Sequence, residues 1–326
     1  MQLSFRRERW PLARPFKIAR ATLDVAYPVV VELREDGHRG CGECEVHESD
    51  LSAIERGLDL LARIRPLVEN GDFSRATLPE LLGAGPIRNA LDCALWDLDA
   101  KRAGVPAWRL AGLDAPRALT TVYTISADHP VAMAEQAAAA RRYPILKIKL
   151  KGEGDIARVE AVRGAAPGAR LIVDANEAWT FSQLEAFTPP LRALGVELVE
   201  QPLPRGADAP LAGFRSPVPL CADESCHDTG TLAEVVGKYQ FVNIKLDKTG
   251  GLTEALRLDA QARRLGLRVM VGCMVGTSLA MAPAMLVAAR AEFVDLDGPL
   301  LLAADRSPGL RFRATEIQPP TPDLWG

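Results

Sequence analysis

The 326-residue chain lacks the features that would direct it to nucleic acid, to a membrane or out of the cell. Its 39 lysines and arginines against 42 acidic residues give a net charge of −3, so no basic excess is present to hold a phosphate backbone. Charged residues interrupt every apolar run well before about 18 residues, so we expect no membrane-spanning helix. The first ten residues, MQLSFRRERW, contain no apolar segment typical of a signal peptide.

Cysteine is also scarce, at positions 41, 44, 93, 221, 226 and 273. Six scattered cysteines are too few for a disulfide framework in a chain of this length. Cys41 and Cys44 form a CxxC pair, but no second pair follows at zinc-ribbon spacing. We therefore expect free thiols and a cytoplasmic protein. The glycine patterns GxGxxG, at the start of a βα unit, and GxxxxGK[ST] are missing too, which removes the usual signatures of nucleotide binding.

The composition is that of an ordinary globular protein. Apolar residues make up 48% and charged residues 25% of the chain, which argues against disorder and against a coiled coil. The length fits either two domains or one large α/β barrel with a small attachment. Composition alone does not separate an enzyme from a binding protein, or a monomer from a homo-oligomer.

Residues 1–115 are predicted to form a mixed α+β domain. The β-branched run Val25–Leu33 predicts a strand, and residues 35–37 predict a turn after it. Apolar residues at helical spacing predict helices over Leu51–Val68 and Ile87–Ala103, the second one stopped by Gly104.

From residue 116 onward, short strand-like runs alternate with helical patterns, which predicts a parallel sheet. Helices are predicted over Pro130–Arg142, Ile156–Arg163, Thr253–Leu265 and Ser278–Ala291. Eight strand-helix units in this length favour an α/β fold of the (β/α)7-8 TIM-type barrel over an open doubly wound sheet. The eight strands are predicted over Thr121–Ser126, Leu146–Leu150, Leu171–Asn176, Glu197–Gln201, Pro219–Glu224, Phe241–Asp247, Arg268–Met274 and Phe293–Asp297.

Charged residues end most of these strands, although a buried parallel strand should be almost wholly apolar. A single charge at a strand end is most often a solvated cap or part of a loop salt bridge. Here the charges recur every 22 to 26 residues, about the length of one βα unit, so we expect them to form an arc at the carboxyl end of the barrel. The residues in register are Lys149, Asp174, Glu200, Asp223 and Lys245.

The three adjacent carboxylates predict a metal site. Asp174, Glu200 and Asp223 would repel one another unless a cation lay among them. Oxygen ligands suit a hard ion, most often Mg²⁺, and zinc is less apt because no histidine accompanies them.

The lysines indicate the reaction. Lys147 and Lys149 point the same way from strand two, and Lys245 lies on strand six, across the barrel mouth. Two bases on opposite faces of a reactive carbon are what an inversion by proton transfer needs, and a nearby cation would lower the lysine pKa values toward neutral pH. The same cation would stabilise the enolate formed when a proton beside a carboxylate is removed.

The motifs as a set resemble the enolase superfamily, in its muconate-lactonizing subgroup, and more narrowly the dipeptide epimerases that act on L-Ala-D/L-Glu. The resemblance covers nearly the whole chain. It rests on PFKIAR, NALDCALWDL, LKIKLKG, IVDANEAW, EQPLP, ADES, NIKLDKTGGLTEAL and VDLDGPLL.

The resemblance implies a role for each charged residue. Asp174, Glu200 and Asp223 match the family's Mg²⁺ ligands. Lys149 and Lys245 match its two acid/base residues, and Lys147 matches the lysine beside the metal.

The resemblance also implies how substrate is recognised. Asp295 and Asp297 match the pair that holds the free α-ammonium of a dipeptide, and Thr124 and Cys273 fall at substrate-contact positions. In the family, the first domain caps the barrel mouth with two loops, here 16–23 and 43–51. Arg20 is the candidate to bind a substrate side-chain carboxylate. The second loop is several residues shorter here than in the Ala-Glu enzymes.

The implied activity is a Mg²⁺-dependent dipeptide epimerisation of murein-peptide metabolism, with L-Ala-L-Glu or another L-Ala-L-Xaa dipeptide as substrate. The implied domains are the cap at 1–115, the barrel at 116–300 and a segment at 301–326 that packs back on the cap. An o-succinylbenzoate synthase or muconate-type cycloisomerase is the alternative, which the Asp295–Asp297 pair disfavours.

Overall fold

The computed structural model describes residues 1–46, 51–71 and 73–326. Strands β1 (Gln2–Arg7), β4 (Val29–Glu35) and β5 (His38–Cys44) form an antiparallel sheet. Strand β2 (Trp10–Lys17) pairs with β3 (Thr22–Ala26) as a separate antiparallel hairpin. No helix in these described ranges is long and apolar enough to cross a membrane. The elements before residue 119 are β1 (Gln2–Arg7), β2 (Trp10–Lys17), β3 (Thr22–Ala26), β4 (Val29–Glu35), β5 (His38–Cys44), α1 (Leu51–Glu69), α2 (Leu78–Leu81), α3 (Pro86–Ala103) and α4 (Ala107–Leu110).

The prediction of one continuous strand over Val25–Leu33 is wrong. Tyr27 and Pro28 separate β3 from β4, and the two strands belong to different sheets. Proline has no backbone N–H to donate to a neighbouring strand, so the sheet hydrogen bonding stops there.

Helix α3 packs on β4 and β5 and is buried along almost its whole length. Its alanines and the glycines of β5 allow this close approach, since a Cβ at Gly42 would collide with the backbone of Ala90. The helix ends at Ala103, and Gly104 stops it as the sequence predicts, with its backbone in the left-handed conformation.

Between residues 119 and 326, all of which the structure describes, eight parallel strands follow one another in the sheet from β7 (Tyr123–Ile125) to β14 (Phe293–Val294). The Val122 N–H donates to the Val294 carbonyl at 2.8 Å and joins the two edges. The strands are β6 (Leu119–Thr120), β7 (Tyr123–Ile125), β8 (Ile145–Lys149), β9 (Arg170–Asp174), β10 (Val196–Glu200), β11 (Leu220–Ala222), β12 (Phe241–Ile244), β13 (Arg268–Val271), β14 (Phe293–Val294), β15 (Phe312–Arg313) and β16 (Glu316–Ile317). The barrel fold class is thereby confirmed.

Helices alternate with these strands, although only a 3₁₀ turn at Ala209–Leu211 stands between β10 and β11 in this fully described region. Helices predicted to Arg142 and Ala291 end at Ala139 and Ala288. The helices are α5 (Pro130–Ala139), α6 (Asp155–Ala165), α7 (Phe181–Ala193), α8 (Leu232–Val235), α9 (Leu246–Thr249), α10 (Leu252–Arg264), α11 (Ser278–Ala288) and α12 (Gly298–Leu301).

All eight predicted barrel strands are present, but each ends earlier than predicted. The clearest case is β12, which ends at Ile244, after which Leu246–Thr249 forms helix α9. Lys149, Asp174 and Glu200 are the last residues of β8, β9 and β10. Asp223 and Lys245 lie one residue beyond β11 and β12.

The barrel interior has two layers. An apolar layer near the amino ends takes one buried side chain from each strand or the residue beside it: Val122, Ile145, Ile172, Leu198, Cys221, Phe241, Met270 and Phe293. Two residues further along, the same inward face carries charge, as in Ile172 to Asp174 and Leu198 to Glu200. The charged layer therefore lies at the carboxyl ends of the strands.

The end of the chain returns to the first helices. The Trp325 indole N–H donates to the Cys93 carbonyl at 3.0 Å, and the Gly326 N–H donates to Asp97 Oδ1 at 2.7 Å.

Candidate active site

A pocket of about 540 Å³ opens between the charged layer and the first part of the chain. Loop 16–23, which is the turn of the β2–β3 hairpin, and the start of loop 43–51 both line it. Residues 47–50 of the second loop and the side chain of Leu51 lie outside the described residues. Nine predicted site residues line the pocket: Arg20, Thr124, Lys147, Lys149, Asp223, Lys245, Cys273, Asp295 and Asp297.

Asp174 and Glu200 lie beneath the pocket lining, and Lys147 forms ion pairs with both of them. Lys147 Nζ is 3.1 Å from Asp174 Oδ2 and 2.7 Å from Glu200 Oε2. Asp174 also accepts a hydrogen bond from Lys149 Nζ at 2.7 Å. Neighbouring strand ends hold these groups together, because Asp174 is in register with both Lys149 and Glu200.

The third carboxylate, Asp223, sits between two lysines. Lys245 Nζ donates to Asp223 Oδ2 and Lys248 Nζ donates to Asp223 Oδ1, each at 2.6 Å. Lys248 also donates to the Asn243 carbonyl at 2.8 Å, which fixes its position. The described charged layer thus places an ammonium group beside every predicted metal ligand.

These contacts shift the carboxylate pKa values in opposite directions. Burial opposes ionisation of Asp174, but Lys149 and Lys147 outweigh it and lower its pKa to about 2. Burial likewise opposes ionisation of Asp223, but Lys245 and Lys248 hold its pKa well below the ordinary value. Burial and the neighbouring Asp174 charge raise the pKa of Glu200 to about 7.

The protein's own carboxylates shift the pKa values of Lys147 and Lys245 upward. Burial favours the neutral amines, but Asp295 and Glu200 raise the pKa of Lys147 well above its usual range. Asp223 outweighs burial in the same way and raises the pKa of Lys245. Carboxylates rather than cations face these amines, so the protein groups alone keep both lysines charged.

The donor set fits a divalent cation. In the described part of the chain no hydrogen-bond donor is aligned with buried Glu200 Oε2, although Lys147 Nζ is near it. No three acidic, histidine or cysteine side chains among the described residues already surround one point at ligand distance. Three carboxylates on adjacent strand ends would close on a hard cation if it displaced the lysine contacts.

Asp295 and Asp297, which follow β14, accept hydrogen bonds from different partners. Asp295 Oδ2 accepts from Lys147 Nζ at 2.7 Å, so Asp295 is part of the lysine network. Asp297 Oδ2 accepts from the Thr124 backbone N–H at 2.7 Å. Burial and the Asp295 charge raise the pKa of Asp297 to about 7. Both carboxylates face the pocket.

Arg20 is not a free cation in this structure. Its guanidinium pairs with Glu177, and its Nη2 is 3.0 Å from Glu224 Oε1. Its side chain is 52% exposed, and it links the β2–β3 turn to the loops after β9 and β11. Cys273 is partly exposed on the pocket wall without a contact that assigns it a role.

Sequence reasoning missed four residues of this site: Glu177, Glu224, Asp247 and Lys248. All four lie within the motifs that located their neighbours, since IVDANEAW contains Glu177, ADES contains Glu224, and NIKLDKTGG contains Asp247 and Lys248. The repeat spacing identifies only one charged residue per strand. It therefore did not identify the charged residues that follow one to three positions later in the chain.

The fold and this arrangement place the chain in a known group. Residues 1–112 match the mandelate racemase/muconate lactonizing enzyme N-terminal domain, and residues 131–314 match the enolase C-terminal domain-like family. The chain therefore belongs to the enolase superfamily, and the resemblance inferred from its motifs is confirmed.

Within this group the chain is most informatively compared with three proteins. It is 44% identical to the L-Ala-D/L-Glu epimerase of Escherichia coli K12 over 95% of this chain and 97% of that protein. It is 47% identical to an N-acetyl-D-glutamate racemase from Pseudoalteromonas over 81% of this chain and 85% of that one. An enolase family member from Agrobacterium tumefaciens, solved with sodium and L-Ala-L-Glu, superposes with a TM-score of 0.95 at 45% identity, covering 99% of both chains.

Proposed function

We propose that the chain is a Mg²⁺-dependent dipeptide epimerase that moves a proton at the α-carbon of the C-terminal residue, with L-Ala-L-Glu and L-Ala-D-Glu as its first substrates. One observation carries this proposal. Lys149 ends β8 and Lys245 follows β12, four places apart in a sheet of eight, with three buried carboxylates on or directly after the strands between them. Residues 1–115 would be the cap, 116–300 the barrel, and 301–326 the segment that returns to the cap.

Asp174, Glu200 and Asp223 would hold the cation. When bound, it supplies positive charge against the negative charge that develops as the α-proton leaves. The same ligands would exchange their present lysine contacts for it. Its charge would then offset Asp223 and Glu200, which contribute to the raised pKa values of Lys245 and Lys147. Dipeptide epimerases from Cytophaga hutchinsonii and Enterococcus faecalis have been solved with Mg and dipeptides.

Proton transfer would fall to Lys149 and Lys245. One amine takes the α-proton from one face of the substrate carbon, and the protonated amine opposite returns a proton to the other face. Both lysines line the pocket from fixed points of the barrel, Lys149 from the end of β8 and Lys245 from the residue after β12. Fixed placement of acid and base is what general acid–base catalysis requires.

Recognition would divide between the barrel and the cap. Asp297, with Asp295 beside it, would bind the free α-ammonium of a dipeptide, and Arg20 would bind an acidic side chain. The relatives support epimerase and racemase chemistry rather than an o-succinylbenzoate synthase or cycloisomerase. The six free cysteines agree with the reducing cytoplasm as its location.

The test is ¹H NMR in D₂O on the purified protein with Mg²⁺, a panel of L-Ala-L-Xaa dipeptides, and N-acetyl-L-glutamate. The proposal expects the α-proton signal of the C-terminal residue to disappear and the second isomer to accumulate with L-Ala-L-Glu, and neither to occur with a chelator. Absence of Mg²⁺-dependent exchange on every dipeptide would overturn it. Exchange confined to N-acetylglutamate would replace it with an N-acylamino-acid racemase, since that substrate has no ammonium for Asp297.

A further inference from the structure

Asp247 lies where three parts of the molecule meet. It is 8% exposed, lines the pocket, and follows Lys245 by two residues in the first turn of α9. Its Oδ1 accepts from Asn89 Nδ2 at 2.9 Å and from the Glu45 backbone N–H at 3.2 Å. One carboxylate oxygen therefore connects helix α3, the start of loop 43–51 and the turn that carries Lys245.

The short helix α9 extends these connections to the charged layer. The Lys248 and Thr249 N–H groups both donate to the Lys245 carbonyl at 3.0 Å, which fixes the backbone at Lys245. Lys248 then reaches Asp223 with its side chain. A shift of Asp247 would therefore move the backbone from which the Lys245 amine projects.

The far end of α9 is held independently of Asp247. Arg88 Nη2 donates to the Thr249 carbonyl at 2.6 Å, and Asp92 accepts from the Thr253 N–H at 2.9 Å. These contacts dock α3 against the barrel without touching the Glu45 segment. A substitution at one of these contacts is therefore a control: it weakens the packing of α3 on the barrel and leaves the Asp247 hydrogen bonds in place.

We propose that Asp247 is a positioning residue that holds the Lys245 amine in place against the substrate and couples its position to the Glu45 backbone directly after β5. The inference rests on the proposed function and deepens it. Both of its hydrogen bonds need only an acceptor oxygen, so the role of Asp247 is to accept hydrogen bonds and not to transfer a proton.

The first test compares two substitutions at this position. Asp247→Asn keeps an oxygen for Asn89 and Glu45, whereas Asp247→Ala removes it. Exchange of the α-proton in D₂O is measured separately on L-Ala-L-Glu and L-Ala-D-Glu, and Lys245→Ala identifies which isomer depends on Lys245. Asp247→Ala should slow exchange of that isomer by about 10- to 100-fold relative to the other, because Lys149 stands on a different strand. Asp247→Asn and Asp92→Asn should leave the ratio of the two rates unchanged.

Equal slowing of both isomers in Asp247→Ala, or a loss of activity in Asp247→Asn as large as in Asp247→Ala, would overturn the inference.

A second readout does not depend on activity. Amide hydrogen exchange, followed by mass spectrometry, should rise in Asp247→Ala both at residues 43–46 and at residues 245–249, and in Asp92→Asn it should not rise at 43–46. If the wild type moves no α-proton but this coupled rise occurs, the proposed function fails and the Asp247 connection stands. Unchanged protection at 43–46 in Asp247→Ala would refute the connection itself.

Discussion

The two layers inside the barrel use the same eight strands for opposite purposes. The layer near the amino ends is wholly apolar and fills the interior. The layer at the carboxyl ends buries at least three carboxylates and three lysines within the same cross-section. Burying charge is unfavourable unless each group finds a partner, and here each ammonium group has one. The contrast shows which layer specifies the fold and which one specifies the chemistry.

The largest expected effect is a loss of activity when a carboxylate of the charged layer is replaced. Asp174→Asn should reduce Mg²⁺-dependent epimerisation by about 10³-fold or more, because several kcal/mol of charge stabilisation is lost. Treatment of the wild type with a chelator should do the same, and added Mg²⁺ should restore activity only in the wild type. The measurement is the initial rate against Mg²⁺ concentration. Asp259→Asn, on the outer helix α10, is the matched control.

Normal turnover by Asp174→Asn at saturating Mg²⁺ would show that the charged layer is not a metal site.

The apolar layer should respond in stability instead. Phe241 is 1% exposed and packs against Phe293 with ring centroids 5.9 Å apart. Phe241→Ala should lower the free energy of unfolding by about 3 to 5 kcal/mol, measured by urea denaturation. The kcat of the fraction that remains folded should stay close to that of the wild type. A fall in kcat without a fall in stability would break the division between the layers.

The charged layer was largely predictable from the sequence because its residues recur at the length of one βα unit. Lys149, Asp174 and Glu200 could be located in this way, since adjacent parallel strands in register bring them together. The partners of Asp247 could not, because Asn89 lies 158 positions away in sequence and no periodicity links them. The strands were also predicted to extend too far at their carboxyl ends. The hydrophobic pattern does not show where the backbone stops pairing with the neighbouring strand.

Between the two layers and the cap, Asp247 should make stability depend on pH. Burial raises its pKa from 3.8 to about 7. Because the folded value is the higher one, the group's contribution to stability is present below about pH 4 and is lost as the pH rises toward 7. For the metal-free protein, Asp247→Asn should remove this loss, on the order of 1 kcal/mol per pH unit between these values. Urea unfolding of both proteins from pH 5 to 8 checks it, and parallel pH curves would contradict it.

The smallest expected effect concerns the cap. Glu177 and Glu224 share the exposed guanidinium of Arg20, so an acidic substrate side chain must compete with them. Glu177→Gln should lower the KM for L-Ala-L-Glu by about two- to fivefold, the range of an exposed ion pair. The KM for L-Ala-L-Leu should not change. A raised KM for the acidic dipeptide would mean that Glu177 assists binding.

The central claim is that two lysines on opposite sides of the carboxylates serve opposite faces of one carbon. It is tested most directly by α-proton exchange in D₂O with Lys149→Ala and Lys245→Ala, each on L-Ala-L-Glu and on L-Ala-D-Glu. The account predicts that each variant loses epimerisation yet exchanges the α-proton of one isomer, and that the two variants exchange different isomers. Full epimerisation by either variant, or exchange of the same isomer by both, would contradict it.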